Sequence, residues 1–321
     1  MYSVVSLQSP APHRVTYRRG VFLRFARIKS DRLTSVPELP EVETIARGLH
    51  ERVAGDAIES VWLGSKPQTM KSPPAEIAAT LEHTRIVGVR RMGKHIVFDL
   101  ERNGVASLRP PAKGNRKMSL GSHAQWIVHL GMTGRMVICD PGAEIVKHTH
   151  AIAKLASGRD LRFIDPRRFG RLSVHSTGEF EAGGVEPLEV EKETFVTLFR
   201  GRKTPIKSAL LNQKLLRGVG NIYADESLFR AGLRPRRRAS TITTAQFELL
   251  HKSVQRVLKE AIKLGGSSIS DYVDVDGEEG FFQLRHRVYG REGQPCPVCK
   301  TPIKRTVIVG RSSHYCPRCQ K

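Results

Sequence analysis

The chain has 321 residues, is 39% hydrophobic and 26% charged, and carries 53 Lys and Arg against 31 Asp and Glu, a formal net charge of +22. This composition excludes a disordered or fibrous chain, and no stretch nears the ~20 apolar residues that a membrane-spanning helix needs; at roughly 150 residues per domain the length gives about two domains. A pI near 10.3 makes an acidic polymer the favoured partner, nucleic acid ahead of a membrane surface.

Residues 1–36 hold seven basic side chains and one acidic one. They read as a basic arm, a mitochondrial-type transit peptide or an upstream stretch that is never translated. From Pro40 a helix is predicted, with Val42, Ile45, Ala46, Leu49 and Val53 on one face, Glu41 and Glu43 at its positive end and Gly55 as the stop. Short β-type runs follow at 58–63, 84–91, 95–100, 126–130, 135–139 and 161–164, the pattern of a β-sandwich or barrel. The stretch 102–124, rich in Gly, Ser and basic residues, interrupts them as a surface loop. After Glu189 the pattern turns helical. Thr204 and Pro205 predict a helix through Lys214, Asn221 caps another to Phe229, and Thr243 with Gln246 forms a capping box for a third that ends at Gly265-Gly266. Residues 190–321 hold 25 basic and 12 acidic side chains, so the polyanion-binding face is expected there.

Cys296-x2-Cys299-x16-Cys316-x2-Cys319 is the strongest chemical signal. Two close thiolate pairs at turns supply a closed tetrahedral S4 set for one structural zinc ion, with Val307-Ile308-Val309 and His314-Tyr315 forming a hairpin between them. The fifth thiol, Cys139, reads as a buried apolar side chain and not as a ligand. The run Gly218-Val219-Gly220-Asn221-Ile222-Tyr223 offers a close-approaching backbone and a helix start whose N–H groups suit a phosphate. The tract Arg234-x-Arg236-Arg237-Arg238 reads as a solvated edge that attracts phosphates without specificity.

Five motifs in order carry a resemblance: Pro37 to Thr44 (PELPEVET), His129 to Gly134 (HLGMTG), Asp165 to Gly170 (DPRRFG), Gly218 to Glu226 (GVGNIYADE) and the four-cysteine finger. From Pro37 to Lys321 the chain resembles the bacterial formamidopyrimidine-DNA glycosylases. The resemblance implies an α+β multidomain fold. Its parts are a catalytic N-terminal helix plus β-sandwich (37–183), a helix-two-turn-helix domain with a lesion-capping loop (184–284) and a zinc finger (285–321). It also implies removal of oxidised purines from double-stranded DNA, followed by strand nicking at the abasic site, by a monomer in the bacterial cytoplasm. In that family Pro37 would be the amine nucleophile, Glu38 the proton donor to the sugar, Lys94 the proton donor in β-elimination and Arg311 the clamp on the lesion phosphate. Met132, Arg167 and Phe169 would fill the gap left by the flipped base. His148, Lys203, Lys207 and Asn221 would lie near DNA, with His129 a further phosphate contact, and Gly265 to Phe282 would close over the lesion.

One departure bears on the chemistry. An amide-linked Pro37 has no nucleophilic lone pair. Three explanations are open: translation starting at Val36 with its initiator residue removed, proteolysis after Val36, or a protein that binds lesions without cutting. The rival functions are an endonuclease VIII-type enzyme for oxidised pyrimidines and a noncatalytic zinc-ribbon DNA-binding protein.

Overall fold

The computed structural model describes residues 36–102, 123–268 and 280–321. The basic arm before Val36, nearly all of the 102–124 insert and the acidic tip Asp274 to Glu279 therefore lie outside the described residues.

Helix α1 (Leu39–Val53) begins at Glu38, whose carboxylate and that of Glu41 form a reciprocal capping box. Its C-terminal stop is Gly55, at φ +89°. Eight strands follow: β1 (Ala57–Leu63), β2 (Thr84–Met92), β3 (His95–Arg102), β4 (His123–His129), β5 (Arg135–Cys139), β6 (Thr149–Leu155), β7 (Asp160–Ile164) and β8 (Arg171–Ser176). All pair antiparallel in the order β5-β7-β6-β1-β2-β3-β4-β8. Strand β1 joins the halves, pairing with β6 on one side and β2 on the other, with a register shift between Ile58 and Ser60. The sheet folds into a sandwich over one core, to which β3 and β4 give Phe98 and Trp126 and β5 and β7 give Met136 and Phe163.

Four elements were not predicted from the sequence. Strand β6 is buried on both faces and so lacks the alternation that marks a half-buried strand. Strand β8 has only two fully buried positions, and helices α2 (Pro74–Leu81) and α3 (Lys192–Phe199) span only eight residues each.

The second core is helical. It gathers α3, α4 (Ile206–Leu210), α5 (Asn221–Arg230) and α6 (Thr244–Lys263). Helix α4 is shorter than predicted: it ends at Leu210, not Lys214, and Pro205 rather than Thr204 is its N-cap. Gly220, not Asn221, caps α5. The capping box of α6 is present as expected, and Phe247, Leu250, Val254, Val257 and Ala261 line its buried face. Helix α1 touches both cores, for Leu39 packs in the helical one while Val42, Ile45 and Leu49 pack under the sandwich. Arg91 strengthens this junction, pairing with Glu43 of α1 and with Glu186 at 2.8 Å each. The finger adds a hairpin, β9 (Lys304–Ile308) and β10 (Arg311–Tyr315). Among the described residues no helix is long and apolar enough to cross a membrane.

Candidate active site and metal centre

Pro37 and Glu38 precede the first turn of α1, and both are buried. The Glu38 carboxylate lies against the start of α5, accepting hydrogen bonds from the backbone N–H of Ile222 (3.1 Å) and Tyr223 (3.5 Å). The glycine-rich turn thus has a different first occupant from the one expected. Its helix-start amides bind the protein's own carboxylate, for the same dipolar reason that would favour a phosphate there. Glycine at 220 is required by this approach, because a Cβ would fall well inside van der Waals contact of Glu38 Cδ and Cγ. The backbone at Gly220 is extended (φ −127°, ψ −161°), a conformation open to alanine. The effect of Gly220→Ala is therefore steric.

Burial raises the Glu38 pKa to about 7, with Lys94 opposing the shift and Glu41 adding to it. Sequence reading treated Glu41 as a helix-start acid; it is in fact only 2% exposed. Its carboxylate accepts from the Glu38 N–H at 2.9 Å, from the Ser267 N–H at 2.7 Å and from the Tyr223 hydroxyl. Burial raises its pKa as well. Glu41 therefore ties the Pro37-Glu38 segment to α5 and to Ser267. The signal for this lay in the acid's place one helical turn after Glu38, which alone does not distinguish a buried group from a solvated one.

Lys94 occupies the two-residue turn between β2 and β3, next to Gly93 at φ +61°. Burial pulls its pKa below the usual lysine range; Glu38 and Glu41 oppose this and Arg311 reinforces it. One ammonium thus senses residues from α1 and the finger hairpin. Arg311 opens β10 and is exposed.

The expected gap-filling residues share a second cluster organised by Asp165, a buried residue that sequence reading left without a role. Its carboxylate accepts from Thr133 Oγ1 at 2.5 Å, from the Arg167 N–H at 3.2 Å and from the Gly170 N–H at 2.7 Å. These bonds hold the Met132 turn beside the 165–170 loop. Phe169 is 46% exposed, and the Arg167 guanidinium lies over its ring at 4.9 Å. Met132 is half-buried, while His148 and Lys203 are exposed.

Three residues expected near DNA stand differently. Lys207 is fully buried: its Nζ lies 2.6 Å from Asp225 Oδ1 and donates to the Ser312 carbonyl, so it is not presented to a phosphate here. His129 is pushed down to about 4 by burial, and then by His95, Lys94 and Arg171, so at neutral pH it carries no charge to offer an anion. Asn221 donates through Nδ2 to Ser312 Oγ at 3.4 Å. In the arginine tract Arg234, Arg236 and Arg238 are exposed, as expected of a solvated edge, and two of these side chains also brace the finger. Arg236 donates to Thr306 Oγ1 and to the Val307 carbonyl, and Arg234 donates to the Pro317 carbonyl and lies over the Tyr315 ring.

The four finger cysteines place their Sγ atoms within 4.8 Å of one another. Cys299 and Cys316 are 3.4 Å apart, Cys296 and Cys319 3.9 Å. Tetrahedral zinc with Zn–S bonds of about 2.3 Å requires S···S separations of about 3.8 Å, so the set fits one ion and leaves no open position for catalysis. Cys139, expected to be buried, is instead a partly exposed free thiol, because it ends β5 at the edge of the sheet.

Comparison with known proteins agrees with this geometry. The chain matches the formamidopyrimidine-DNA glycosylase N-terminal domain over residues 36–172, the H2TH domain of the same enzyme over 184–273, and the zinc finger found in FPG and IleRS over 293–321. The chain belongs to the formamidopyrimidine-DNA glycosylase family. The formamidopyrimidine-DNA glycosylase of Solibacter usitatus is 42% identical over 290 residues, covering 89% of this chain and all of the relative. Lactococcus lactis Fpg bound to DNA containing N7-benzyl-Fapy-dG superposes with a TM-score of 0.77 at 32% identity, covering 89% of this chain and all of that one. The same Fpg bound to DNA with an abasic site gives 0.76 at 32% identity, covering 88% and 99%. The sandwich, the helical domain and the four-cysteine finger of this chain are those of the formamidopyrimidine-DNA glycosylase fold.

Proposed function

We propose that the protein is a base-excision repair enzyme that removes oxidised purines from double-stranded DNA and then nicks the abasic site. The observation that carries this reading is the buried Pro37-Glu38 segment, its carboxylate held by the α5 amides with a pKa near neutrality. A flipped nucleotide is needed to expose C1′. Phe169 is accessible enough to wedge between base pairs, and Arg167 can bond to the orphaned partner base.

In this scheme Pro37, once N-terminal, attacks C1′ through its secondary amine. The C1′–base bond breaks, Glu38 protonates the sugar ring oxygen as the ring opens, and a cationic iminium joins Pro37 to C1′. That iminium withdraws electrons from C2′, so loss of a C2′ proton expels the 3′ phosphate, and a second elimination expels the 5′ phosphate. Lys94, its pKa lowered by burial, gives up a proton more readily than an ordinary lysine and serves the first elimination. Arg311, whose planar guanidinium matches phosphate oxygens, grips the lesion phosphate. His148 and Lys203, both exposed, supply further backbone contacts. Bound zinc is structural: it holds Cys296, Cys299, Cys316 and Cys319 so that β9 and β10 fold. The enzyme acts as a monomer on chromosomal DNA in a reducing compartment, which suits its free thiols.

The test is base release from duplexes carrying one lesion each. A chain starting at Pro37 is expected to release 8-oxoguanine and formamidopyrimidines at least tenfold faster than thymine glycol; the reverse order would move it to the oxidised-pyrimidine branch.

A further inference from the structure

Lys207 and Asp225 form an ion pair with no exposure on either side. Burying two charges is costly, and the cost is met only where both find further partners. Here those partners lie on one strand. Lys207 Nζ donates to the carbonyl of Ser312 at 2.7 Å, and Asp225 Oδ2 accepts from the N–H of His314 at 2.8 Å. The pair comes from α4 and α5, and what it grips is β10 at its second and fourth residues. The first residue of β10 is Arg311, so both bonds fix the main chain immediately after the exposed guanidinium. Asn221 holds the Ser312 side chain from the same helical domain.

We propose that Lys207 and Asp225 are positioning residues for Arg311, acting on DNA through β10 and not by direct contact. The inference rests on the reading of Arg311 as the phosphate clamp.

The test is a mutant cycle on a chain that starts at Pro37, read as Kd for a duplex containing a tetrahydrofuran abasic analogue. Lys207→Met combined with Asp225→Asn removes both charges together, leaving net charge unchanged and no unpaired ion buried. Arg311→Ala alone is expected to weaken binding ten- to a hundredfold and to lower the salt-dependence slope by about 0.9. The neutral pair is expected to weaken binding about tenfold and lower the slope similarly when Arg311 is present, but to change Kd less than twofold in the Arg311→Ala background. Equal losses in both backgrounds, or no loss in either, would overturn the proposal. If Arg311→Ala itself left Kd unchanged, the clamp reading would fail first, and the positioning role with it. Zinc content of one per chain and an intact melting transition certify folding. Should the double variant lose zinc, Asp225→Asn, which keeps an acceptor toward the His314 N–H, enters the same cycle and is judged by the same criterion.

Discussion

A chain beginning at Pro37 will form a borohydride-trappable covalent adduct with an oxidised-guanine duplex, and a chain that retains Val36 and the residues before it will form none. The reason is electronic. In the longer chain the Pro37 nitrogen is a tertiary amide, whose lone pair is delocalised into the Val36 carbonyl and which has no hydrogen to lose on forming an imine. Freed, it becomes a secondary amine with an ordinary pKa of about 7.7–8.0, so that roughly 10–20% is neutral at pH 7 before the site acts on it. Loss of the nucleophile abolishes the covalent route, and we expect adduct yield and base release to fall by at least a thousandfold. Electrophoresis of the trapped complex and the N-terminal residue of native protein check this together. A native N-terminus well upstream of Pro37 with full activity would refute the amine mechanism.

Glu38→Gln is expected to slow base release by 10²- to 10⁴-fold, the usual worth of a positioned general acid. Glutamine retains one acceptor oxygen for the Ile222 amide and gives up only the long 3.5 Å contact from Tyr223, so the loss chiefly reports the proton. With a pKa of about 7, Glu38 is protonated on the acid side of neutrality. Base release in the parent enzyme should therefore decline as pH rises through about 7, and that limb should vanish in the variant. Stability should move the same way. The folded pKa lies above the ordinary value of 4.5, so the folded state holds the proton more tightly than the unfolded one. The stabilisation this proton provides is complete below pH 4.5 and is lost as pH rises through 7. The difference is on the order of 3 kcal/mol at alkaline pH. Melting curves at pH 5 and pH 8 should thus show Glu38→Gln gaining on its parent at the higher pH.

Much of the architecture was legible because it rests on local rules. The α1 and α6 caps, the α6 stripe and the cysteine spacing are each read within a few residues, and each has its physical counterpart in the structure. Strand β6 escaped because burial on both faces erases the period-two pattern. The site was legible in its residue types but not in its electrostatics. Nothing near Glu38 in the sequence says that amides far along the chain hold it, or that Glu41 and Asp165 are buried organisers. Lys207 shows the same limit from the other side: the family resemblance implies a place near DNA, and nothing local reveals Asp225 beside it. The arginine tract is solvated as its composition suggests, but its exposed Arg234 and Arg236 also reach finger carbonyls and a threonine, acceptors that no local pattern reveals.

Burial holds the Glu38 pKa near 7, and the α5 start that lies against its carboxylate comes 184 residues further along the chain; this sets how the enzyme can be divided. A fragment ending before Val185 would keep Pro37, Glu38 and Lys94, yet its carboxyl would stand in water as an ordinary acid, charged at neutral pH with no proton to give. Replacing the helical domain with another DNA-reading module would not retarget the chemistry; it would silence it. Excision and DNA grip occupy separate stretches of sequence but form one indivisible unit, so the smallest active piece of this chain must contain both α1 and α5.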